Sequence, residues 1–154
     1  MNFFVKISGL IILIAFISIT AIAMADTEDN LRSGTVTLQI WKAYRFPDEA
    51  LLDSDDHTAD ISFLENPDIK KVPMLEAKRI KAFGKTKPDI TKITTSDIDL
   101  WDTYVNAPIT GYYYIIQGKE KGKYYILFLK EFLNKKESLH YWKITFQWEE
   151  ITIK

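Results

Sequence analysis

The sequence predicts an α+β fold that is mainly β: an antiparallel sheet, or a small β-sandwich, with one or two short helices. The strongest observation is a strict alternation of apolar and polar residues over positions 141–148. Apolar side chains at alternate positions lie on one face of a strand, and this face holds Trp142, Ile144, Phe146 and Trp148. The segment is therefore predicted to be a long amphipathic strand whose aromatic face lies in the core.

A C-terminal β-hairpin is the second observation behind this fold class. Two apolar runs, residues 112–117 and 124–129, are joined by a polar segment that begins and ends with glycine, residues 118–122. Short glycine-containing connections between strand-length apolar runs are typical of hairpins. Both faces of both runs are apolar, so the sheet should be covered on each side here. Helices are the expected cover on one side, and a second sheet is the expected cover on the other.

The first half of the chain predicts two further strands. Residues 35–41 alternate, and residues 59–64 alternate more weakly, with polar residues between their apolar positions. The predicted inward-facing side chains are Val36, Leu38 and Ile40 in the first strand and Ile61 and Phe63 in the second. Between the strands lie a turn at residues 46–48, a short apolar pair formed by Leu51 and Leu52, and an acidic stretch.

Two helices and one bulge complete the predicted elements. Residues 73–83 have apolar side chains at every third position, with Pro73 before and Gly84 after them, which favours a helix. A second helix is predicted over residues 97–105, with Ser96 as its N-cap and Asp99 three residues later. Ile151 and Ile153 have the opposite parity to Trp148, so a bulge at residues 149–150 is expected to return them to the same face.

The N-terminal segment has the pattern of a secretory signal peptide. Lys6 is the only charge before Asp26, the run between them is apolar, and it ends in Ala23-Met-Ala25. A charged start, an apolar middle and small residues at positions −3 and −1 indicate export with cleavage after Ala25. The expected organisation is a signal peptide at 1–25, a flexible leader at 26–33 and one globular domain at 34–154. An uncleaved membrane anchor is the alternative, since the apolar run nearly spans a bilayer.

Composition excludes several classes of function. The chain has 154 residues, a net charge of −1, no cysteine and two histidines, His57 and His140. Without cysteine there are no disulfides, thiol nucleophiles, Cys-ligated metals or lipid-modified cysteines. Residues 26–68 carry 11 acids and 3 bases, whereas residues 69–87 carry 7 bases and 1 acid. The basic segment either packs beside the acidic one or forms a basic surface, but the overall balance excludes a dedicated nucleic-acid binder.

One candidate metal site lies in the acidic stretch. Carboxylates at alternate positions of a loop can turn several oxygens toward one Ca²⁺ ion, which takes six to eight oxygen ligands. Asp53, Asp55, Asp56 and Asp60 would supply them. The stretch lacks the glycine and glutamate positions of an EF-hand, and a solvated turn between two strands is the simpler interpretation. No other cofactor is predicted.

A candidate ligand site rests on exposed aromatic side chains. Trp41 and Tyr141 fall on the polar faces of their strands, where a flat ring could stack on a sugar ring. Trp101, Trp142 and Trp148 fall on apolar faces and are predicted to lie in the core. A glycan-binding module is therefore one hypothesis for the function.

Catalysis has the weakest support in the sequence. The chain contains no nucleophile elbow, zinc-protease motif or phosphate-binding glycine loop. Paired carboxylates that could serve a glycosidase occur at Asp48 and Glu49, at Asp99 and Asp102, and at Glu149 and Glu150. We therefore expect a non-catalytic binding or accessory domain, located in the periplasm or secreted, that engages a protein partner. A glycan-binding module is the second hypothesis and a small hydrolase the third.

Overall fold

One antiparallel, barrel-like sheet dominates the computed structural model, which describes residues 31–133 and 141–154. The strands are β1 Ser33–Gln39, β2 Lys42–Arg45, β3 Ala50–Asp53, β4 Ile61–Glu65, β5 Pro73–Gly84, β6 Asp102–Asn106, β7 Tyr113–Gln117, β8 Tyr124–Leu133 and β9 Lys143–Ile151. Within the described residues the neighbouring strands follow the order β1-β9-β8-β7-β5-β4-β2-β3, and β6 pairs with β5 outside this path. The mainly β, antiparallel prediction is confirmed, and the sheet nearly closes on itself rather than forming a sandwich.

The predicted hairpin and the predicted C-terminal strand are both confirmed. β7 pairs with β8 from Tyr113 opposite Phe128 to Gln117 opposite Tyr124. β9 then pairs with β8 on one side and with β1 on the other. The aromatic face of β9 is buried as its alternation predicted, because β9 has a paired neighbour along each edge and its inner face meets the core.

The main core lies inside the curved sheet and is rich in aromatic side chains. Phe46 is fully buried, stacks on Tyr125 with ring centroids 4.2 Å apart and meets the edge of Trp148 at 5.0 Å. Full burial of one large apolar side chain contributes about 1.5–3 kcal/mol. Other fully or nearly fully buried members are Leu38, Tyr44, Ile61, Phe63, Leu75, Ile80, Tyr114, Ile116, Leu127, Leu129, Ile144 and Phe146. This core takes the place of disulfides in a chain without cysteine.

A second apolar cluster covers the outer face of β7 and β8. Ile115 and Ile126 point away from the main core and pack with Ile98 and Trp101. These last two residues lie at helix α1, Thr95–Asp99, and just beyond it. The two apolar faces of the hairpin are therefore covered by the barrel interior on one side and by the helical connection on the other, so a second sheet is not needed.

The helix predicted for residues 73–83 is wrong, because this segment forms β5. Leu75 and Ala77 face the main core, and a register shift between Glu76 and Ile80 then brings Ile80 into the same core. Before the shift the residues that face the core have odd numbers, Leu75 and Ala77. After the shift the core-facing residue is Ile80, which has an even number. The resulting three-residue spacing imitates a helical pattern, and pairing with β4, β6 and β7 overrides the local preference.

The second predicted helix is shorter than its apolar pattern suggested. α1 covers Thr95–Asp99, and its N-cap is Thr94 rather than Ser96. The Thr94 and Asp97 side chains form a capping box, each accepting a hydrogen bond from the backbone N–H of the other residue. The predicted apolar face divides, because Val105 lies on β6 and packs against the main core instead of continuing the helix.

The bulge predicted at residues 149–150 is also wrong. The β8–β9 register runs without a break from Trp148 opposite Leu127 to Ile151 opposite Tyr124. Ile151 and Ile153 therefore face the opposite side from Trp148, where they join the outer cluster. The change from even-numbered to odd-numbered buried positions reflects a second buried surface on the other face of β9, and no bulge is needed to explain it.

Several predicted features lie outside the described residues. These are the signal peptide at 1–25, most of the leader at 26–33, and His140. In the part of the chain that the structure describes, no helix has the length and apolarity needed to cross a membrane.

Candidate binding groove beside the edge strand β3

The connection between β1 and β2 brings the two ends of the strand order together. The backbone N–H of Ile40 donates to the carbonyl oxygen of Trp142 at 3.0 Å, just before β9, and the next N–H, that of Trp41, donates to Phe63 on β4 at 2.7 Å. Trp41 adopts a positive φ of 61° at this bend. Ile40 and Trp41 thus form hydrogen bonds toward opposite ends of the strand order. A groove lies on the outer surface where these two ends meet.

The groove has a volume of about 820 Å³ and is lined by parts of four strands and one loop. Thr37 and Gln39 come from β1, Lys42 from β2, Lys143 from β9, and Leu51, Leu52 and Asp53 from β3, with Asp55, Asp56 and His57 following in the loop. Pairing of Gln39 with Lys143 brings β9 to the groove, and pairing with β2, the strand that follows β1, brings β3 to it.

β3 forms one wall of the groove and is an edge strand. It pairs with β2 from Ala50 opposite Arg45 to Asp53 opposite Lys42, and no other strand of the described residues pairs with it. Leu51 is 62% exposed, although it is a large apolar side chain within a strand. A free strand edge offers unpaired backbone N–H and C=O groups to another chain. In the sequence Leu51 is only half of an apolar pair, and the turn at 46–48 followed by that pair is the one available sign of β3.

Some charged side chains of the groove have an ion-pair or hydrogen-bond partner and others do not. Lys42 and Asp53 form an ion pair at 2.5 Å. Asp56 accepts hydrogen bonds from the hydroxyl and the backbone N–H of Thr58, and these two bonds lower the pKa of its carboxyl. Asp55 is exposed, and among the described residues it takes part in no ion pair or hydrogen bond. The loop after β3 therefore presents negative charge to solvent.

The four predicted calcium ligands do not all line one cavity, since Asp53 lines only the groove and Asp60 lines only a smaller neighbouring pocket that Asp55 and Asp56 also line. Asp53, Asp55 and Asp56 line the groove, whereas the carboxylate of Asp60 is buried and accepts backbone N–H groups from Phe46 and Lys119. Burial raises the pKa of Asp60. Across the described residues no group of three or more His, Asp or Glu side chains is arranged to hold a metal ion. The calcium site remains a prediction that this geometry does not support.

The two predicted ligand-binding aromatics lie at the same end of the β1–β9 ladder. Trp41 follows Ile40 and Tyr141 precedes Trp142, so each is one residue beyond the Ile40–Trp142 hydrogen bond. Trp41 is 38% exposed and Tyr141 is 59% exposed. The neighbouring register positions, Gln39 and Lys143, line the groove, whereas Trp41 and Tyr141 do not.

Two of the three candidate carboxylate pairs are divided among separate cations. Asp48 binds Arg45 at 2.6 Å, and Glu49 lies 3.4 Å from Arg32. Glu149 binds Lys87 at 2.6 Å, while Glu150 pairs with Lys123. Each carboxylate therefore has its own ion-pair partner.

The third pair is divided by secondary structure, since Asp99 ends α1 and Asp102 begins β6. Among the described residues neither carboxylate forms an ion pair, and both side chains are exposed.

Comparison with known proteins gives no match: no family model, no curated protein sequence and no solved structure is significantly similar to this chain.

Proposed function

We propose that this protein is an exported, non-catalytic binding domain that holds an extended segment of a protein partner along the free edge of β3. The observation that carries the proposal is the combination of a free strand edge with the exposed Leu51 beside a groove of about 820 Å³. Addition of a partner strand to such an edge is a common mode of peptide recognition. Backbone hydrogen bonds provide affinity, and pockets for alternate side chains provide specificity.

The dimensions of β3 define what the partner segment can be. β3 has four residues, so the shared ladder would be short, about 13 Å at 3.3 Å per residue. Leu51 is exposed and Leu52 is half-buried, so Leu51 is the side chain available to an apolar residue of the partner. We infer an interaction that depends on one apolar contact plus a short ladder, and therefore one of moderate affinity.

Export is part of the proposal and rests on the N-terminal residues. The pattern over 1–25 supports a signal peptide cleaved after Ala25. The domain would then meet its partner in the periplasm or outside the cell, where the aromatic core has to maintain the fold without disulfides.

A peptide-library selection tests this function. Random twelve-residue peptides are selected on purified protein comprising residues 26–154, and bound peptides are mapped by amide chemical-shift changes. We expect binders that shift the amides of residues 50–53 and that lose binding at least tenfold to Leu51→Lys. Leu100→Lys is the matched control, since Leu100 is 85% exposed on a different part of the surface. The proposal would be refuted if the selected peptides shifted other amides and bound Leu51→Lys as tightly as the wild type. A selection that yields no binders would also refute it.

A glycan-binding module is the second candidate, and one observation favours it. The exposed aromatics Trp41 and Tyr141 lie at one end of the β1–β9 ladder, beside polar groove residues such as Gln39. Sugar rings stack on aromatic faces while polar side chains bind the hydroxyl groups. Titration with a panel of oligosaccharides should change tryptophan fluorescence in the wild type, and Trp41→Ala should abolish the change. An unchanged spectrum across the panel would refute this candidate.

A further inference from the structure

The acidic side of the groove indicates the chemistry of the partner segment. From Lys42 to Asp60 the chain has two bases, Lys42 and Arg45, and six acids, which gives a net charge of 2 − 6 = −4. Both bases are already paired within this region, with Asp53 and Asp48 respectively. The acidic excess therefore has no cation of its own in this part of the chain.

Only part of this acidic excess lies at the groove, where Asp53, Asp55 and Asp56 share the lining with Lys42 and Lys143. Asp60 is buried against backbone N–H groups, and Glu49 lies beside Arg32 away from the groove. The carboxylates left at the groove are Asp55, which has no partner among the described residues, and Asp56, which faces Thr58. Lys143 is on the opposite wall, contributed by β9. A partner segment lying along β3 would be closer to Asp55 and Asp56 than to Lys143.

We infer that the segment held by β3 is basic: it carries a Lys or Arg two to four positions from the apolar residue that contacts Leu51. The inference rests on the proposed function and specifies its partner. Alternate residues of a strand are about 7 Å apart, so a cation at that spacing reaches the Asp55 end of the groove when the apolar side chain lies at Leu51. Charge complementarity of this kind determines which partners are accepted and how fast they associate.

The selected peptides provide the first test. Their Lys and Arg frequency is compared with that of the unselected library, using only peptides that shift the amides of residues 50–53. We expect an excess of Lys and Arg at the stated spacing. Peptides that bind β3 without this excess overturn the inference but leave the proposed function intact. Failure of every peptide to bind at β3 refutes the proposed function itself.

A double-mutant cycle provides the second test. The best peptide and its Lys→Gln version are titrated against wild type, Asp55→Asn and the control Asp102→Asn, an exposed aspartate on β6. One exposed ion pair corresponds to a change in Kd of about two- to fivefold. Asp55→Asn should weaken the Lys peptide by that factor and leave the Gln peptide unchanged, while Asp102→Asn should alter neither. Equal effects of Asp55→Asn on both peptides would overturn the inference.

Discussion

Asp60 fixes the β7–β8 hairpin loop through Lys119, a residue 59 positions away in sequence. The Oδ1 atom of Asp60 accepts the backbone N–H of Lys119 at 2.8 Å, and its Oδ2 atom accepts that of Phe46, also at 2.8 Å. Gly118 is part of this contact, since a Cβ atom there would come within 3.0 Å of the carboxylate. One buried side chain thus links the turn that leads into β3 to the loop of the β7–β8 hairpin.

Replacing Asp60 with asparagine should destabilise the fold. The amide has one acceptor oxygen, so one of the two backbone N–H groups would be left unpaired and would face an NH₂ donor. Leaving a buried donor unsatisfied costs about 1–3 kcal/mol, and we expect a decrease of that size in the free energy of unfolding measured in urea. Asp102→Asn is the control and should change it by less than about 0.5 kcal/mol. Equal stability of the two variants would contradict the role assigned to Asp60.

Asp60 should also give the stability a characteristic pH dependence. Burial raises the pKa of its carboxyl above the ordinary value of 3.8, although the hydrogen bonds from Lys119 and Phe46 act in the opposite direction. A carboxyl with a raised native pKa binds a proton more readily in the folded state than in the unfolded state. Its contribution to the free energy of unfolding is therefore complete below pH 3.8 and is lost as the pH rises through the native pKa. The stability difference between wild type and Asp60→Asn should therefore increase from pH 7.5 to pH 4. A constant or decreasing difference in urea unfolding would show that the native pKa is not raised.

The sequence predicts those elements whose burial pattern is purely local. β9 and the β7–β8 hairpin are recognisable because residues 142–148 keep one parity and the two hairpin runs are apolar on both faces. β5 has the apolar spacing of a helix because its register shift between Glu76 and Ile80 changes parity within the strand. A bulge of this kind depends on pairing with β6 and β7, which lie more than twenty residues further along the chain.

The candidate groove was only partly predictable for a similar reason. Composition predicts the acidic residues of the groove, and the alternation of the strands predicts the exposed positions of Trp41 and Tyr141. The edge strand β3 has only four residues, too few for a pattern to be distinguished from a loop. Asp60 belongs to the same acidic stretch as Asp55, yet one is a buried hydrogen-bond acceptor and the other is exposed. That difference depends on partners 14 and 59 positions away from Asp60, which no local pattern contains.

The outer cluster can be tested by two substitutions in one short segment. Ile98 is 1% exposed and packs on the outer face of the hairpin, whereas Leu100, two residues later, is 85% exposed. Ile98→Ala should lower the free energy of unfolding by about 2–5 kcal/mol, and Leu100→Ala should change it by less than about 0.5 kcal/mol. Urea denaturation measures both values. Similar effects of the two substitutions would mean that α1 does not cover the sheet.

Export can be tested on the intact chain produced in a secreting host. Cleavage after Ala25 should yield a mature protein whose first residue is Asp26, as measured by intact mass and N-terminal sequencing. Ala25→Arg should leave the precursor uncleaved, because signal peptidase requires a small residue at this position, while Thr27→Ala should be processed normally. A full-length product from the wild-type chain would favour the membrane-anchor alternative.

The contact between Gly34 and Trp148 should make even a methyl group costly in β1. The two residues are paired in the β1–β9 register, and a Cβ atom at Gly34 would lie 2.8 Å from Nε1 and 3.1 Å from Cε2 of the Trp148 ring. That ring is 3% exposed and is surrounded by other aromatic side chains of the core, including Phe46 and Tyr125, so it has little space to move. Overpacking of a filled core costs about 1–3 kcal/mol. Gly34→Ala should therefore lower the free energy of unfolding by that amount and change the near-UV circular dichroism, whereas Ser33→Ala, at an exposed neighbour, should do neither. An unchanged unfolding midpoint for Gly34→Ala would mean that the Trp148 ring can move away from β1.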